Sequence, residues 1–342
     1  MVLSILEEVG NFARSHQLPY HVLLELTYGC NLRCVMCYNP THHAENELTY
    51  QEYVHLFDEL MRLGTVQLTF TGGEVLARPD FWEIAHAARE RSFALRIFTN
   101  GTRVDASTAR RFAELAPLSV EVSLYGGTAA THDAVTARPG SFERTLEGIR
   151  HLLDARVRVV AKALLTQLNK HEVRETLALV DDLGVHFKGF DPVVFGTHAG
   201  DDGPLALRVP GSEVAELLPW DLVDSEDVMT GDEQPMCSAG HDFAAITPHG
   251  LVYPCLSMRL PMGNIRDRSF GDIWRNPQDP LLEEVRQATW GELPTCSGCE
   301  ARSLCDRCPG LAHHYGGDVL GPSEVHCEHA FARLEPLKAS TS

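Results

Sequence analysis

Ten cysteines constrain this chain more than any other feature, because they fall into two groups and leave the middle of the sequence bare. Three lie at 30, 34 and 37, seven lie at 237, 255, 296, 299, 305, 308 and 327, and none lies between. The opening residues MVLSILEEVGNFARSHQLPY have no basic start and put Glu7 and Glu8 inside the apolar stretch, so they do not read as a secretory signal. No run approaches the roughly 18 apolar residues of a membrane span. Thiols in a chain that is not exported stay reduced, and clustered cysteines there read as metal-binding or catalytic, not as disulfides. The expected compartment is the cytoplasm. A net charge of −18 repels phosphate backbones and anionic lipid, so neither nucleic acid nor membrane is an expected partner.

The 342 residues suffice for one large domain or two ordinary ones, and 44% hydrophobic with 22% charged residues is globular composition. From residue 20 to 195 the chain alternates short β-branched runs with segments of helical period. The strand-like runs are 22–26, 66–70, 95–99, 119–124, 157–165 and 187–194; helical patterns fall at 49–63, 80–91, 105–115, 141–154 and 170–183. Thr49 followed by Glu52 fits a capping box. Six such units predict an α/β fold, a partial (β/α)6 TIM-like barrel with chemistry at the C-terminal ends of its strands. The expected division is an N-terminal helix (1–19), the barrel (20–195), an acidic linker (196–236), a small cysteine-rich C-terminal domain (237–330) and a tail (331–342). The domain 237–330 has few long periodic segments, so metal sites are expected to replace a conventional core.

Directly after the first strand comes TYGCNLRCVMCYNP, which sets Cys30, Cys34 and Cys37 in a C-x3-C-x2-C loop. Three thiolates on one loop suit three irons of a 4Fe-4S cube and leave the fourth iron open; a zinc loop is the competing reading. The second strand ends in TFTGGEV, where Gly72 and Gly73 let backbone approach a ligand and Glu74 offers a carboxylate to an ammonium. This combination resembles the radical S-adenosylmethionine enzymes over residues 20 to about 195. The resemblance implies that S-adenosylmethionine chelates the open iron and is split to a 5′-deoxyadenosyl radical that abstracts hydrogen. Carried over by position, Cys30, Cys34 and Cys37 bind the cluster, and Gly72, Gly73 and Glu74 hold the methionine amine. Met36 and Tyr38 lie near adenine, and Thr99, Asn100 and Ser123 contact ribose or carboxylate. Lys162 pairs with the methionine carboxylate or, alternatively, forms an internal ion pair. Asp191 is the candidate catalytic residue for substrate or proton transfer, with a plain turn aspartate before Pro192 as its rival.

The later cysteines read C296-x2-C299-x5-C305-x2-C308 with Cys237, Cys255 and Cys327 around them. A zinc ribbon usually separates its two C-x2-C pairs by roughly 15–20 residues. With MGNIRDRSFGDIW (262–274), the pattern resembles the SPASM extension of certain radical enzymes, which carries two auxiliary 4Fe-4S clusters. The resemblance gives Cys296, Cys299, Cys305 and Cys327 to a distal cluster and Cys237, Cys255 and Cys308 to one nearer the barrel. The near cluster's fourth ligand is missing upstream of Cys237, so Asp232 or Glu233 substitutes or the iron stays open. Two residues between Cys305 and Cys308, where the family has three, could displace Cys308. The paired histidines 42–43 and 313–314, with His326 and His329, read as solvated loop residues.

Extra clusters suit net oxidation, because they take up the electron left on a substrate after hydrogen abstraction. The leading expectation is oxidative cross-linking or dehydrogenation of a ribosomal peptide or peptide-derived cofactor precursor. A tetrapyrrole or other small metabolite is the alternative substrate, and a zinc-stapled binding protein the non-enzymatic one. Expected partners are a reductant such as flavodoxin or ferredoxin and a separate leader-peptide-binding protein.

Overall fold

The structure, a computed structural model, describes residues 5–39, 41–218 and 231–341; the middle of the expected linker lies outside them. Helix α1 (Ile5–Ser15) leads into β1 (His21–Thr27), α2 (Tyr50–Arg62), β2 (Gln67–Gly72), α3 (Phe81–Glu90), β3 (Ala94–Thr99), α4 (Ala106–Leu115) and β4 (Ser119–Ser123). Then follow α5 (Ala129–Thr136), α6 (Ser141–Asp154), β5 (Val159–Leu164), α7 (Val173–Leu183), β6 (His186–Asp191) and α8 (Gly211–Leu217). The C-terminal part holds β7 (Phe243–Ile246), β8 (Leu251–Tyr253), β9 (Gly263–Asn264), α9 (Phe270–Arg275), α10 (Leu281–Gln287), α11 (Pro309–Gly316) and α12 (Glu324–Thr341). The capping box at α2 forms as its sequence requires: the Thr49 N–H donates to Glu52 Oε2 at 2.7 Å, and the Glu52 N–H donates to Thr49 Oγ1. Among the described residues no helix is long and apolar enough to cross a membrane.

Among the described residues the strands form one sheet in the order β6-β5-β4-β3-β2-β1-β7-β8-β9. The first six pair in parallel, as alternation with helices demands. β1 does not close the barrel onto β6. It pairs instead with β7, in parallel, His21 opposite Phe243 and Leu24 opposite Ile246. The barrel is therefore open, and its sheet runs on into the cysteine-rich segment.

Alternation along the strands sorts the two faces. Val22, Leu24, Leu68, Phe70, Leu95, Ile97, Val120 and Val122 enter one buried cluster with apolar residues of the helices. Glu25, Thr69, Arg96, Phe98, Glu121 and Lys162 occupy the intervening positions and line the interior of the open barrel. The same apolar cluster includes Phe270, Ile273, Trp274, Leu282, Val285, Trp290 and Leu293. The C-terminal segment thus buries a conventional core, contrary to expectation. Its short strands and helices find apolar partners on the barrel, which a reading of local periodicity does not register. Nor does the expected boundary at 330 mark an element end, since α12 runs through it.

Candidate active site

Because the strands are parallel, the segments following β1 to β6 gather at one edge. The three-cysteine loop follows β1, and Gly73 and Glu74 follow β2 directly. Gly72 has φ +124°, and a Cβ on Gly73 would stand 2.3 Å from the Gly29 carbonyl oxygen. The Gly73 N–H donates to Thr27 O at 2.7 Å and the Glu74 N–H to Gly29 O at 2.9 Å. The glycines therefore clamp the end of β2 onto the stem of the cysteine loop, a close approach of backbone to backbone that no other residue permits.

Glu74 is fully buried and continues this lacing. Its Oε1 accepts from Thr99 Oγ1 at 2.7 Å and Leu76 N at 3.1 Å, and its Oε2 accepts from Asn100 N at 2.8 Å. Burial raises the carboxyl's pKa against these donors. Asn100 Nδ2 donates to Asn31 Oδ1 at 3.0 Å, so the end of β3 is tied to the cysteine loop as well. Ser123 hydrogen-bonds the Tyr125 hydroxyl, and Tyr125 lies near Cys34, Cys37 and Cys30. Met36 packs with Val135, Val194, Cys34 and Tyr125. Tyr38 donates its hydroxyl to Glu25 Oε1 at 2.9 Å and packs beside Phe195 and His198.

Two further candidates lie on β5 and at the end of β6. Lys162 Nζ stands 3.5 Å from the buried Glu121 carboxylate and over the Phe98 ring. Asp191 Oδ1 accepts from the Val193 N–H at 2.8 Å, across Pro192.

The three loop thiols share one microenvironment. Burial first, then the charges of Cys37 and Cys30, push the Cys34 thiol far above its ordinary range. Burial pushes Cys37 up to about 11 and raises Cys30, where Glu74 adds to the rise. Such thiols hold their protons at neutral pH until a cation offsets both the desolvation and the mutual repulsion. Soft, buried and near one another, they fit an iron-sulfur cluster, which Cys30, Cys34 and Cys37 would hold and which would supply one-electron chemistry there.

In the C-terminal segment, burial raises the thiol pKa of Cys296, Cys305 and Cys327, and neighbouring thiols add to it: Cys299 at Cys296 and Cys327, Cys327 and Cys296 at Cys305. Cys308 lies by Cys255; burial pushes it up to about 12, while the Leu311 and Gly310 N–H groups hydrogen-bond its sulfur at the start of α11. Gly310 makes this possible, since a Cβ there would meet Ser257 O at 2.2 Å. Cys237 and Cys255 pack against the shared core. Among the described residues no three Cys, His, Asp or Glu groups converge closely enough for a single ion; thiols around a four-iron cube stand wider apart than those around one zinc. Asp232 does not turn toward these thiols. It bonds Arg302 at 2.7 Å with its side chain 76% exposed.

His326 and His329 correct the sequence reading. They are 5% and 2% exposed on α12, because that helix packs on α8 and on the turn before Cys305. Burial keeps both imidazoles neutral, His329 at about 4. His313 and His314 sit in the last turn of a helix, not in a loop.

Residues 24–180 match the model of the radical SAM superfamily, and residues 237–300 match that of an iron-sulfur cluster-binding domain, SPASM. The chain belongs to the radical SAM superfamily and, within it, to the enzymes that carry a C-terminal SPASM domain. It is 29% identical to an AdoMet-dependent heme synthase of Methanosarcina barkeri over 90% of this chain and 96% of that one. It is 28% identical to the mycofactocin maturase MftC of Mycobacterium ulcerans over 97% and 94%. Among solved structures, Streptococcus suis SuiB bound to its precursor peptide SuiA superposes with TM-score 0.68 at 15% identity, over 90% of this chain and 78% of that one. The enzyme anSMEcpe with AdoMet and a peptide gives 0.69 at 16%, over 94% and 98%. These two likenesses concern the fold.

Proposed function

We propose that this enzyme forms a 5′-deoxyadenosyl radical from S-adenosylmethionine and uses it to cross-link or dehydrogenate a ribosomal peptide or peptide-derived cofactor precursor. The observation that carries this reading is the continuity of the sheet through β1 and β7. It sets the segment that carries the C-terminal thiols on the same sheet as the three-thiol loop, and in this reading clusters held by those thiols take up the electron left on the substrate radical. When bound at Cys30, Cys34 and Cys37, the cluster supplies the electron that splits the sulfonium. In this reading Cys237, Cys255 and Cys308 hold one auxiliary 4Fe-4S cluster with an open or exchangeable fourth position, and Cys296, Cys299, Cys305 and Cys327 hold the other.

The chain's own residues position the rest. Gly72, Gly73 and Glu74 set the ledge that receives the methionine amine, Met36, Tyr38 and Tyr125 wall the adenine side, and Thr99, Asn100 and Ser123 supply polar contacts at the strand ends. Lys162 keeps a cation within the barrel beside Glu121, and Asp191 shapes the rim after β6. The reductant is a flavodoxin or ferredoxin, a separate protein binds the leader peptide, and the compartment is the cytoplasm. A second reading, a tetrapyrrole substrate, draws support from the heme synthase and from a pre-heme d1 synthase among the relatives.

The test is anaerobic coexpression with any short peptide encoded beside the gene, compared with a Cys30→Ala, Cys34→Ala, Cys37→Ala variant. Loss of hydrogen pairs from the peptide's intact mass, only with the unaltered loop, is the expected result. An unchanged mass, with conversion of an iron tetrapyrrole by the same preparation, would establish the second reading instead.

A further inference from the structure

A buried guanidinium stands where the two C-terminal thiol groups meet. Arg307 lies between Cys305 and Cys308 in the chain and is 3% exposed. Its backbone N–H hydrogen-bonds the Cys305 sulfur, and its side chain hydrogen-bonds that of Cys296. Nη2 donates to the carbonyls of Val319 and Gly321, both at 2.5 Å, and Nε donates to Gly321 O at 2.8 Å. Nη1 reaches Met236 Sδ at 3.2 Å, and Met236 directly precedes Cys237. One side chain therefore contacts a thiol of the distal group and a residue adjoining a thiol of the near group.

The acceptors around it are carbonyls and sulfurs. A guanidinium does not give up its proton in a protein, so this positive charge is permanent. Besides the Asp306 carboxylate next to it in the chain, which acts on the same Cys305 and His326, its burial is compensated when the surrounding thiols become thiolates, which they do on binding metal. The thiols of Cys296, Cys308 and Cys327 all feel its charge, which opposes the rise that burial imposes on them. A fixed cation in a low-dielectric interior also favours the more negative of two redox states.

We propose that Arg307 is the buried cation that compensates both auxiliary clusters and raises their reduction potentials, chiefly that of the cluster held by Cys296, Cys299, Cys305 and Cys327. This rests on the two-cluster reading above. Arg307 acts as a positioning and tuning residue, and its effect is read on the clusters themselves, with no substrate.

The full chain carrying Cys30→Ala, Cys34→Ala and Cys37→Ala is reconstituted anaerobically, its iron and sulfide are counted, and its clusters are titrated with dithionite while reduced signals are followed by electron paramagnetic resonance. Arg307→Gln is expected to retain its iron and to lower the one-electron reduction equilibrium of the distal cluster at least tenfold, a 59 mV negative shift. Arg307→Lys, which keeps the charge but not the fork, is expected to titrate close to the parent. A fully loaded Arg307→Gln that titrates with the parent overturns the proposal, and so does Arg307→Lys displaced as far as the glutamine variant. Should the glutamine variant fail to load, the lysine variant decides: a parental potential supports the charge, a displaced one refutes it. A parent chain that binds no auxiliary iron would overturn the cluster reading itself and this proposal with it, and the iron count registers that before any potential is measured.

Discussion

Glu25 interrupts the apolar run of β1, and its carboxylate is fully buried with only one oxygen satisfied by protein. Oε1 accepts from Tyr38, while Oε2 has no hydrogen-bond partner. Burial raises its pKa to about 7 from 4.5, against the lowering effect of the neighbouring Tyr38 and Tyr28 hydroxyls. Between those two values the folded chain keeps a proton that the unfolded chain releases, so this group makes stability fall as pH rises from 4.5 to about 7. The shift corresponds to about 3 kcal/mol at most. Glu25→Gln is expected to flatten that decline, seen as a smaller loss of urea stability between pH 5 and pH 8 than in the parent; identical pH dependence in the two would contradict it. Lys162 draws notice in the sequence as a charge within a β-branched run, and the same argument applies to Glu25 in VLLEL. Arg307 gives no such signal, because a charged residue between two cysteines of a loop reads as solvated until the fold closes over it. His326 and His329 mislead for the same reason.

At the scale of elements, the six parallel strands and the helices α2, α3, α4, α6 and α7 follow from apolar periodicity, and their ends agree with the sequence to within a few residues. α5 escapes notice because AATHDAVT has little amphipathic contrast. β7, β8 and β9 are two to four residues long, too short for any period to emerge, and exist because β1 and its extension offer a hydrogen-bonding edge. Helix α11 depends on one close approach, Gly310 against Ser257, and Cys308 is the residue just before it. Gly310→Ala must push α11 off the 255–258 turn, at a cost of about 1–3 kcal/mol for overpacking. The expected result is a lower melting temperature together with loss of iron from the site proposed at Cys237, Cys255 and Cys308 but not from the one proposed at the Cys30 loop. A variant that keeps all of its iron would show that the turn yields without moving Cys308.

Over the whole molecule, one sheet and one apolar cluster bind the barrel to the C-terminal segment, through β1 with β7 and through α9 packed on α2. The two parts are therefore expected to unfold together. Hydrogen exchange in rising urea should strip protection from β2, β3 and β4 and from β7 at the same concentration; a C-terminal segment that opens first would argue for separate domains. The expected division at 237 rests on a change in cysteine content, while the shared core gives no local signal, since it is built from contacts between residues distant in sequence. That pairing also orders events in time. The partner that completes β1 is synthesised more than two hundred residues after it, so the strand that ends in the three-cysteine loop waits at an open edge through most of translation. The nascent chain thus holds its three-cysteine loop on an unfinished frame until the last third of the protein has emerged.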